Sequence, residues 1–178
     1  MTARPLSLLA ILLALAFGAC AQQPDTHRVD EATMAVLGTA RALHHEADVY
    51  EGAGDFVRAS GAMERVLALR LPPTFAGAED VRADAWGRLA ELDLRRGDAD
   101  RALARVDEAI AATRRESVLQ ARLYMVRGQS LRALADRAAG AHDEPTAARR
   151  RDEALAALER SIAINERILR RLTPGSAR

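Results

Sequence analysis

The sequence predicts an all-α protein built from stacked antiparallel helix hairpins, about three in number. Three observations lead to this prediction. Ala, Leu, Arg and Glu dominate the chain, and β-branched residues are sparse beyond residue 26. No stretch shows the alternation of apolar and polar residues that a half-buried strand needs. Gly-Asp pairs at residues 54–55 and 97–98 separate runs in which apolar residues recur every three or four positions, the spacing of amphipathic helices.

The composition fits one globular domain of ordinary charge. The chain has 178 residues, of which 49% are hydrophobic and 29% charged, so it can bury a sizeable core and is not expected to be disordered. Its formal net charge is only +1, which gives no reason to expect a nucleic-acid partner.

The first 20 residues are organised like a bacterial export signal. Arg4 precedes an apolar run over residues 8–17, which is too short to span a bilayer but suits a signal peptide. The sequence FGAC that ends at Cys20 resembles the lipobox of bacterial lipoproteins, in which two small residues precede the cysteine that receives the lipid. Phe17 stands where the lipobox usually has leucine. The alternative is an ordinary secretory signal cleaved close to Cys20, with the cysteine present by chance.

The lipobox resemblance implies a division of the chain and a location. Residues 1–19 would be the signal peptide and residues 20–26 the lipidated N-terminus with a short tether. Residues 27–173 would form the helical domain and 174–178 a frayed tail. Lipid on Cys20 would attach the protein to a membrane of the cell envelope. Alanine rather than aspartate follows Cys20, which favours the outer membrane, facing the periplasm, if the organism is Gram-negative.

The clearest hairpin covers residues 83–116. Trp86, Leu89 and Ala90 share one face of its first helix, since they lie three and four residues apart. Gly97-Asp98 then interrupts the helix, because Gly suits a left-handed C-terminal position and Asp can cap the helix that follows. The apolar residues of the second helix are Ala102, Val106, Ala109 and Ile110.

Residues 40–73 match that hairpin in the same register. Gly54-Asp55 forms the turn, and Pro72-Pro73 ends the unit. Upstream, residues 28–39 are also predicted to be helical, with Gly38 as a candidate break. The predicted core residues are Leu43, Ala47 and Tyr50 on the first helix and Ala59, Met63, Val66 and Leu67 on the second.

A third hairpin is recognisable in residues 117–172, with longer helices. Ser117 and Gln120 have the spacing of a capping box, and the turn is expected around residues 140–146. Pro174-Gly175 ends the last helix. The apolar residues are Leu123, Tyr124 and Leu131 on its first helix and Leu155, Leu158, Ile162, Leu169 and Leu172 on its second.

The segments 40–73 and 83–116 resemble the tetratricopeptide (TPR) repeat. They share its large and small positions on the first helix, its Gly-Asp turn and its alanines on the second. Leu89 fills the leucine position of the segment 83–116, whereas Glu46 stands at that position in the segment 40–73. Asp93 stands where an aromatic residue is usual, and Arg114 where proline is usual. The resemblance implies a TPR-like α-solenoid. A generic antiparallel bundle of alanine-rich helices is the alternative.

No pattern of residues predicts catalysis or metal binding. His45 begins the sequence HEADV, in which Val49 replaces the second histidine of the zinc-protease pattern HExxH. His44 and Asp48 lie one turn apart, but two ligands are too few for a zinc site. GxSxG and Gly-rich phosphate loops do not occur. We therefore expect no enzyme, metal or cofactor. The methionines Met34, Met63 and Met125 are expected to fill the core.

In TPR proteins the first helices of the hairpins line a concave face across which partner segments lie. The resemblance assigns this face Arg41, His44, Asp48 and Glu51 from the first hairpin and Asp84, Glu91, Leu94 and Arg95 from the second. The third hairpin would add Val118, Ala121, Met125 and Gln129. We expect an acidic surface over the first two hairpins, suited to a basic or amphipathic segment.

Two functions follow from these expectations. One is a membrane-anchored adaptor that binds another envelope protein through the concave face. The alternative is a self-associating structural lipoprotein without a dedicated groove ligand. The oligomeric state is left open by the sequence.

Overall fold

Helix-favouring residues and capping side chains determine the architecture. The computed structural model describes residues 31–173, which form six α-helices and contain no strand. The helices are α1 (Glu31–Gly52), α2 (Phe56–Leu67), α3 (Ala78–Arg95), α4 (Ala99–Ala112), α5 (Val118–Gly140) and α6 (Glu144–Leu172). Each helix packs against the next along the chain, α3 also packs against α5, and the α5–α6 contact is the most extensive. The prediction of an all-α chain is confirmed for this range.

The three turns within the hairpins have the same structure. Gly54, Gly97 and His142 adopt left-handed conformations, with φ of 76°, 79° and 60°. In each turn the following aspartate donates its backbone N–H to a carbonyl five residues earlier, at 2.8–2.9 Å. This is the Schellman arrangement, which satisfies the last carbonyls of the preceding helix. The Gly-Asp turns are therefore confirmed, and the third turn lies within the predicted range although His142 replaces glycine.

The aspartates of these turns also start the next helices. Asp55, Asp98 and Asp143 each accept a hydrogen bond from the backbone N–H three residues later. These bonds satisfy otherwise unpaired N–H groups of the first helical turn. The backbone hydrogen bond from Arg58, followed by that from its side chain, lowers the pKa of the Asp55 carboxyl below the ordinary value. The side-chain hydrogen bond from Thr146, followed by its backbone bond, lowers the pKa of the Asp143 carboxyl.

Small side chains let the helices approach closely. A Cβ atom added at Gly128 of α5 would lie 2.8 Å from Leu158 Cγ and 3.1 Å from the Ala154 carbonyl oxygen of α6. Most of the predicted core is confirmed. The buried positions include Leu43, Ala47, Ala59, Met63, Val66, Leu89, Ala90, Ala102, Val106, Ala109, Leu123 and Leu131, while Tyr50, Leu67, Trp86 and Ile110 pack against these residues half-buried.

A buried ion pair links α3 to α4. Asp93 is only 1% exposed. It accepts a hydrogen bond from Arg105 Nε at 2.7 Å, and the Arg105 guanidinium lies 5.8 Å from the Trp86 ring centroid. The buried carboxylate is thus paired with a cation of the next helix.

Three local predictions need correction. Helix α1 runs without interruption through Gly38, so the expected break is wrong. Helix α2 ends at Leu67, five residues before Pro72. The capping box is confirmed only for Ser117, whose Oγ accepts from Gln120 N at 3.2 Å; Gln120 Nε2 instead donates to the Thr113 carbonyl at 3.1 Å.

The predicted core positions on the last helix are mostly wrong. Leu155, Ile162, Leu169 and Leu172 are exposed, and Leu158 is half-buried. Helix α6 instead buries small residues and one isoleucine: Ala147, Ala154, Ala157, Ser161 and Ile164. The physical reason is that this side of α6 packs against α5, where the backbone of Ala154 and the half-buried Leu158 side chain both approach Gly128. Leu155, Ile162 and Leu169 lie instead on the exposed outer side.

The prediction that the methionines fill the core is wrong for two of the three. Met63 is fully buried, whereas Met34 is 59% exposed and Met125 is 37% exposed. The signal-peptide, lipidation and tail predictions, including Cys20, fall outside the described residues. Within the described helices, none has both the length and the hydropathy that crossing a bilayer requires.

Candidate partner-binding face

Helices α1, α3 and α5 are the first helices of the three hairpins, and their facing side chains form ion pairs from helix to helix. We call the set His44, Asp48, Glu51, Asp84, Arg88, Glu91, Arg95 and Arg122 the ion-pair ladder. Its members on α3 lie three or four residues apart, so they point from one side of that helix.

Arg88 joins α3 to α1. Its Nη2 donates to Asp48 Oδ1 at 2.6 Å and also contacts the Glu51 carboxylate. Burial alone would lower the pKa of the Arg88 guanidinium, but the hydrogen bonds to Glu51 and Asp48 outweigh burial and raise the pKa above its ordinary value. Arg95 pairs with the same Glu51 carboxylate, whose side chain is only 9% exposed.

Arg122 joins α5 to α3. Its Nε and Nη2 donate to the two oxygens of Glu91 at 3.0 and 2.7 Å, a bidentate pair, while Nη1 donates to Asp84 Oδ1 at 2.6 Å. The hydrogen bond to Glu91 is the main cause that raises the pKa of Arg122, against the effect of burial. His44 of α1 reaches the same Asp84, with its Nε2 3.6 Å from Oδ2.

The structure therefore brings most of the predicted partner-binding residues together. His44, Asp48, Glu51, Asp84, Glu91 and Arg95 all belong to the ladder, and Arg41 is exposed one turn before His44 on α1. Leu94 does not join them, because it is half-buried against the cluster of Ala90, Ala102, Val106 and Val126.

The residues predicted from the third hairpin are divided. Val118 is 62% exposed, Met125 is 37% exposed, and Gln129 is exposed. Ala121 is buried, and its carbonyl accepts a hydrogen bond from Ser161 Oγ at 2.7 Å. Ala121 therefore belongs to the α5–α6 contact.

The acidic surface expected over the first two hairpins is wrong. Sequence reasoning missed Arg88 and Arg122, which lie among the carboxylates and pair with them. Together with Arg41, the face holds four carboxylates (Asp48, Glu51, Asp84, Glu91) and four guanidiniums (Arg41, Arg88, Arg95, Arg122), so these charges cancel. A signal was available for Arg88, since positions 84, 88, 91 and 95 follow helical spacing.

The same pairings account for the histidine cluster. His44 contacts Asp84 and Asp48 contacts Arg88, so these two residues do not face a common ligand. Between residues 31 and 173, no three His, Cys, Asp or Glu side chains are grouped so that they could hold a metal ion.

No protein-family model, curated protein or solved structure matches this chain.

Proposed function

We propose that the chain is a lipid-anchored interaction protein of the bacterial cell envelope, in which a TPR-like stack of three hairpins presents the ion-pair ladder to a segment of another protein. The observation that carries this proposal is the ladder itself. It combines side chains from α1, α3 and α5 into one continuous polar face. A face built from three successive hairpins can contact an extended segment at several points.

The repeated turns support the TPR-like part of the proposal. The capping aspartates Asp55, Asp98 and Asp143 follow one another at intervals of 43 and 45 residues, in turns of one geometry. A TPR unit has about 34 residues. The intervals are longer here because residues 68–77 form a linker after the first hairpin and because α5, with 23 residues, is long.

The charges of the ladder suggest the chemistry of the partner segment. Asp48 and Arg95 have side chains that are 53% and 56% exposed, so groups of both signs are accessible at the outer edge. Because the charges of the face cancel, a segment that carries both acidic and basic groups fits it better than a uniformly basic one. Such a segment would exchange pairs within the ladder for pairs across an interface.

The proposed anchor would hold this face close to the membrane. If the lipid is on Cys20, residues 21–30 separate it from the start of α1 at Glu31. Ten residues span at most about 36 Å even when fully extended. The domain would then work within that distance of the bilayer surface. A self-associating structural lipoprotein is the second candidate function, and the exposed aliphatic residues of α6 favour it.

The ladder proposal is tested by capture in cells. A photoreactive residue in place of Arg41 in the full chain should crosslink to a partner protein, whereas the same residue in place of Ala104, exposed on α4, should not. The variant Asp48→Asn with Arg95→Gln should reduce the product several-fold. The matched control is Arg132→Gln with Asp136→Asn, an exposed pair of the same residue types on α5. Equal losses in both variants, or no product at Arg41, would contradict the proposal.

The anchor is tested in the same cells. Cys20→Ser should move the chain from the membrane fraction to the soluble fraction, because its lipid attachment site is lost. If a chain of mature size still sediments with the membranes, the lipid anchor is wrong.

A further inference from the structure

The outer side of α6 carries two parallel rows of side chains. Leu155, Ile162 and Leu169 form an apolar row and are 58%, 58% and 61% exposed. The exposed residues Asp152, Glu159 and Glu166 form an acidic row with the same spacing. Seven residues are nearly two helical turns, so each row runs almost parallel to the helix axis. The rows are adjacent, because Leu155 and Ile162 lie four residues before Glu159 and Glu166.

Neither row takes part in holding α6 to the rest of the domain. The buried side of the helix is formed by Ala154, Ala157, Ser161 and Ile164, which meet α5. A second side of α6 is held by ion pairs to Glu116, a residue of the loop between α4 and α5.

Glu116 pairs with three arginines of α6. Arg167 Nη2 donates to its Oε1 at 2.7 Å, and Arg160 and Arg171 lie at 3.4 and 3.3 Å from its oxygens. The hydrogen bond from Arg167 lowers the pKa of the Glu116 carboxyl below its ordinary value. Helix α6 is therefore held in place by its buried side and by the arginines that pair with Glu116. The apolar and acidic rows lie on other sides of the helix.

Leu172, which is 73% exposed, lies one turn beyond the apolar row at the end of the helix. It lines a cavity of about 450 Å³ that is also lined by Glu116 and Arg171, so this cavity belongs to the side of α6 that Glu116 holds. Single exposed apolar residues are common on protein surfaces, whereas three large ones aligned beside a row of charged groups are typical of an interaction site.

The adjoining segments of this chain do not match the surface. Residues 21–30 and 174–178 contain one large aliphatic residue, Val29. They therefore cannot supply an apolar row of comparable length. The apolar run over residues 8–17 carries no basic residue to meet the acidic row, and the proposed signal-peptide cleavage would remove it.

A second copy of this chain would match the apolar row of α6 but not its acidic row. In an antiparallel pair centred on Ile162, Leu155 would meet Leu169 of the other copy, but Glu159 and Glu166 would also face each other. In a parallel pair the acidic row would lie beside Leu158 and Asn165, which carry no positive charge. Anionic lipid headgroups would be repelled by the acidic row.

We propose that the outer face of α6 docks an amphipathic helix of another protein, which packs its apolar side on Leu155, Ile162 and Leu169 and aligns Lys or Arg side chains with Asp152, Glu159 and Glu166. This occupant satisfies both rows at once. Asp152 and Glu159 form no ion pair within residues 31–173, so their charges are available to it. Glu166 lies 3.6 Å from Arg170 of the same helix, and this exposed pair would open to admit the partner's cation. The surface is separate from the ion-pair ladder, and either one can fail without the other.

The direct test uses a synthetic probe and the full chain. The probe is a three-heptad helical peptide with leucine along one side and lysine along one flank, and a second peptide carries glutamate at the lysine positions. Fluorescence anisotropy should show binding of the lysine peptide, weakened by salt, and binding of the glutamate peptide at least about tenfold weaker. Equal binding of both peptides would overturn the proposal, since it would show unspecific apolar adsorption.

Variants of the chain locate the site. Leu155→Gln, Ile162→Gln and Leu169→Gln together should weaken binding of the lysine peptide at least about tenfold, and Glu159→Gln with Glu166→Gln several-fold. The control is Met34→Gln with Val57→Gln, which removes exposed apolar side chains that are 59% and 66% accessible elsewhere. Asp48→Asn with Arg95→Gln should leave peptide binding unchanged. Circular dichroism checks the helix content, and the single variant Ile162→Gln serves if the triple variant does not fold.

Two further results would replace the proposed occupant. If light scattering finds a dimer of the full chain that the triple variant converts to a monomer, the occupant is a second copy. If the full chain binds phosphatidylglycerol vesicles through these three residues with Cys20 replaced by serine, the occupant is a lipid surface.

Crosslinking in cells then identifies the natural partner and the segment that it contributes. A photoreactive residue in place of Ile162 should capture, in cells, a segment whose sequence has an apolar row flanked by Lys or Arg. Capture of a segment without that pattern contradicts the proposal.

Discussion

The first two hairpins turn through Gly54 and Gly97, whereas the third turns through His142 and has much longer helices. Helices α2 and α4 have 12 and 14 residues, and α6 has 29. The surfaces differ as well, because α2 exposes Val57 while α6 exposes four large aliphatic side chains along its length.

The hairpins differ in how they use their charged side chains. Where two hairpins meet, these side chains form ion pairs, whereas on the outer side of α6 they are exposed. Between hairpins, arginines such as Arg88 and Arg122 take up the facing carboxylates. The third hairpin forms ion pairs of this kind only on the side that faces the second hairpin. Its outer side combines exposed aliphatic and acidic residues that the fold does not use, so the capacity for a second contact lies at that end of the chain.

The largest expected effect comes from breaking the joint between the second and third hairpins. Arg122→Met leaves Asp84 and Glu91 on one face without their shared cation, and should lower the free energy of unfolding by about 2 kcal/mol. Arg132→Met is the control, since Arg132 is 80% exposed and 3.8 Å from Asp136. It should cost less than about 0.5 kcal/mol. Urea unfolding followed by circular dichroism measures both, and similar values for the two variants would contradict the role of Arg122.

A smaller effect is expected at the turn that distinguishes the third hairpin. His142 has φ 60°, a conformation that costs a side-chain-bearing residue about 1–2 kcal/mol. His142→Gly removes that strain but adds chain entropy to the unfolded state, so stability should rise by about 0.5–1 kcal/mol. The reciprocal change Gly97→Ala should lower it by about 1 kcal/mol. Thermal unfolding checks both signs, and a destabilised His142→Gly variant would show that the imidazole makes a compensating contact.

The sequence predicted the parts of the fold that depend on local spacing. The turns at Gly54-Asp55 and Gly97-Asp98 and the buried faces around Leu89 and Val106 follow from residues within one or two helical turns of each other. The resemblance to TPR repeats also assigned six residues of the ladder to one face, and helical periodicity relates Asp84 to Glu91 and Arg95 within α3.

The rest depends on partners that are distant in the chain. Arg122 meets Glu91 across 31 residues, and no local pattern indicates that pairing. Helix α6 contains two apolar stripes, one of small residues such as Ala154 and Ala157 and one of large residues such as Leu155 and Ile162. Hydrophobicity favours burial of the large stripe. Packing against α5 at Gly128 buries the small one, and that packing is visible only once α5 and α6 are paired.

The central claim is that the fold does not need the outer apolar row of α6. Its most direct test is the free energy of unfolding of the variant with Leu155→Gln, Ile162→Gln and Leu169→Gln, measured beside Leu131→Ala in the core. The core change should cost about 3 kcal/mol, because Leu131 is fully buried. The triple variant should stay within about 0.5 kcal/mol of the unaltered chain, with the same dependence on denaturant at every protein concentration. A loss of more than about 2 kcal/mol would contradict the account, because the row would then be buried in the folded protein or in a dimer.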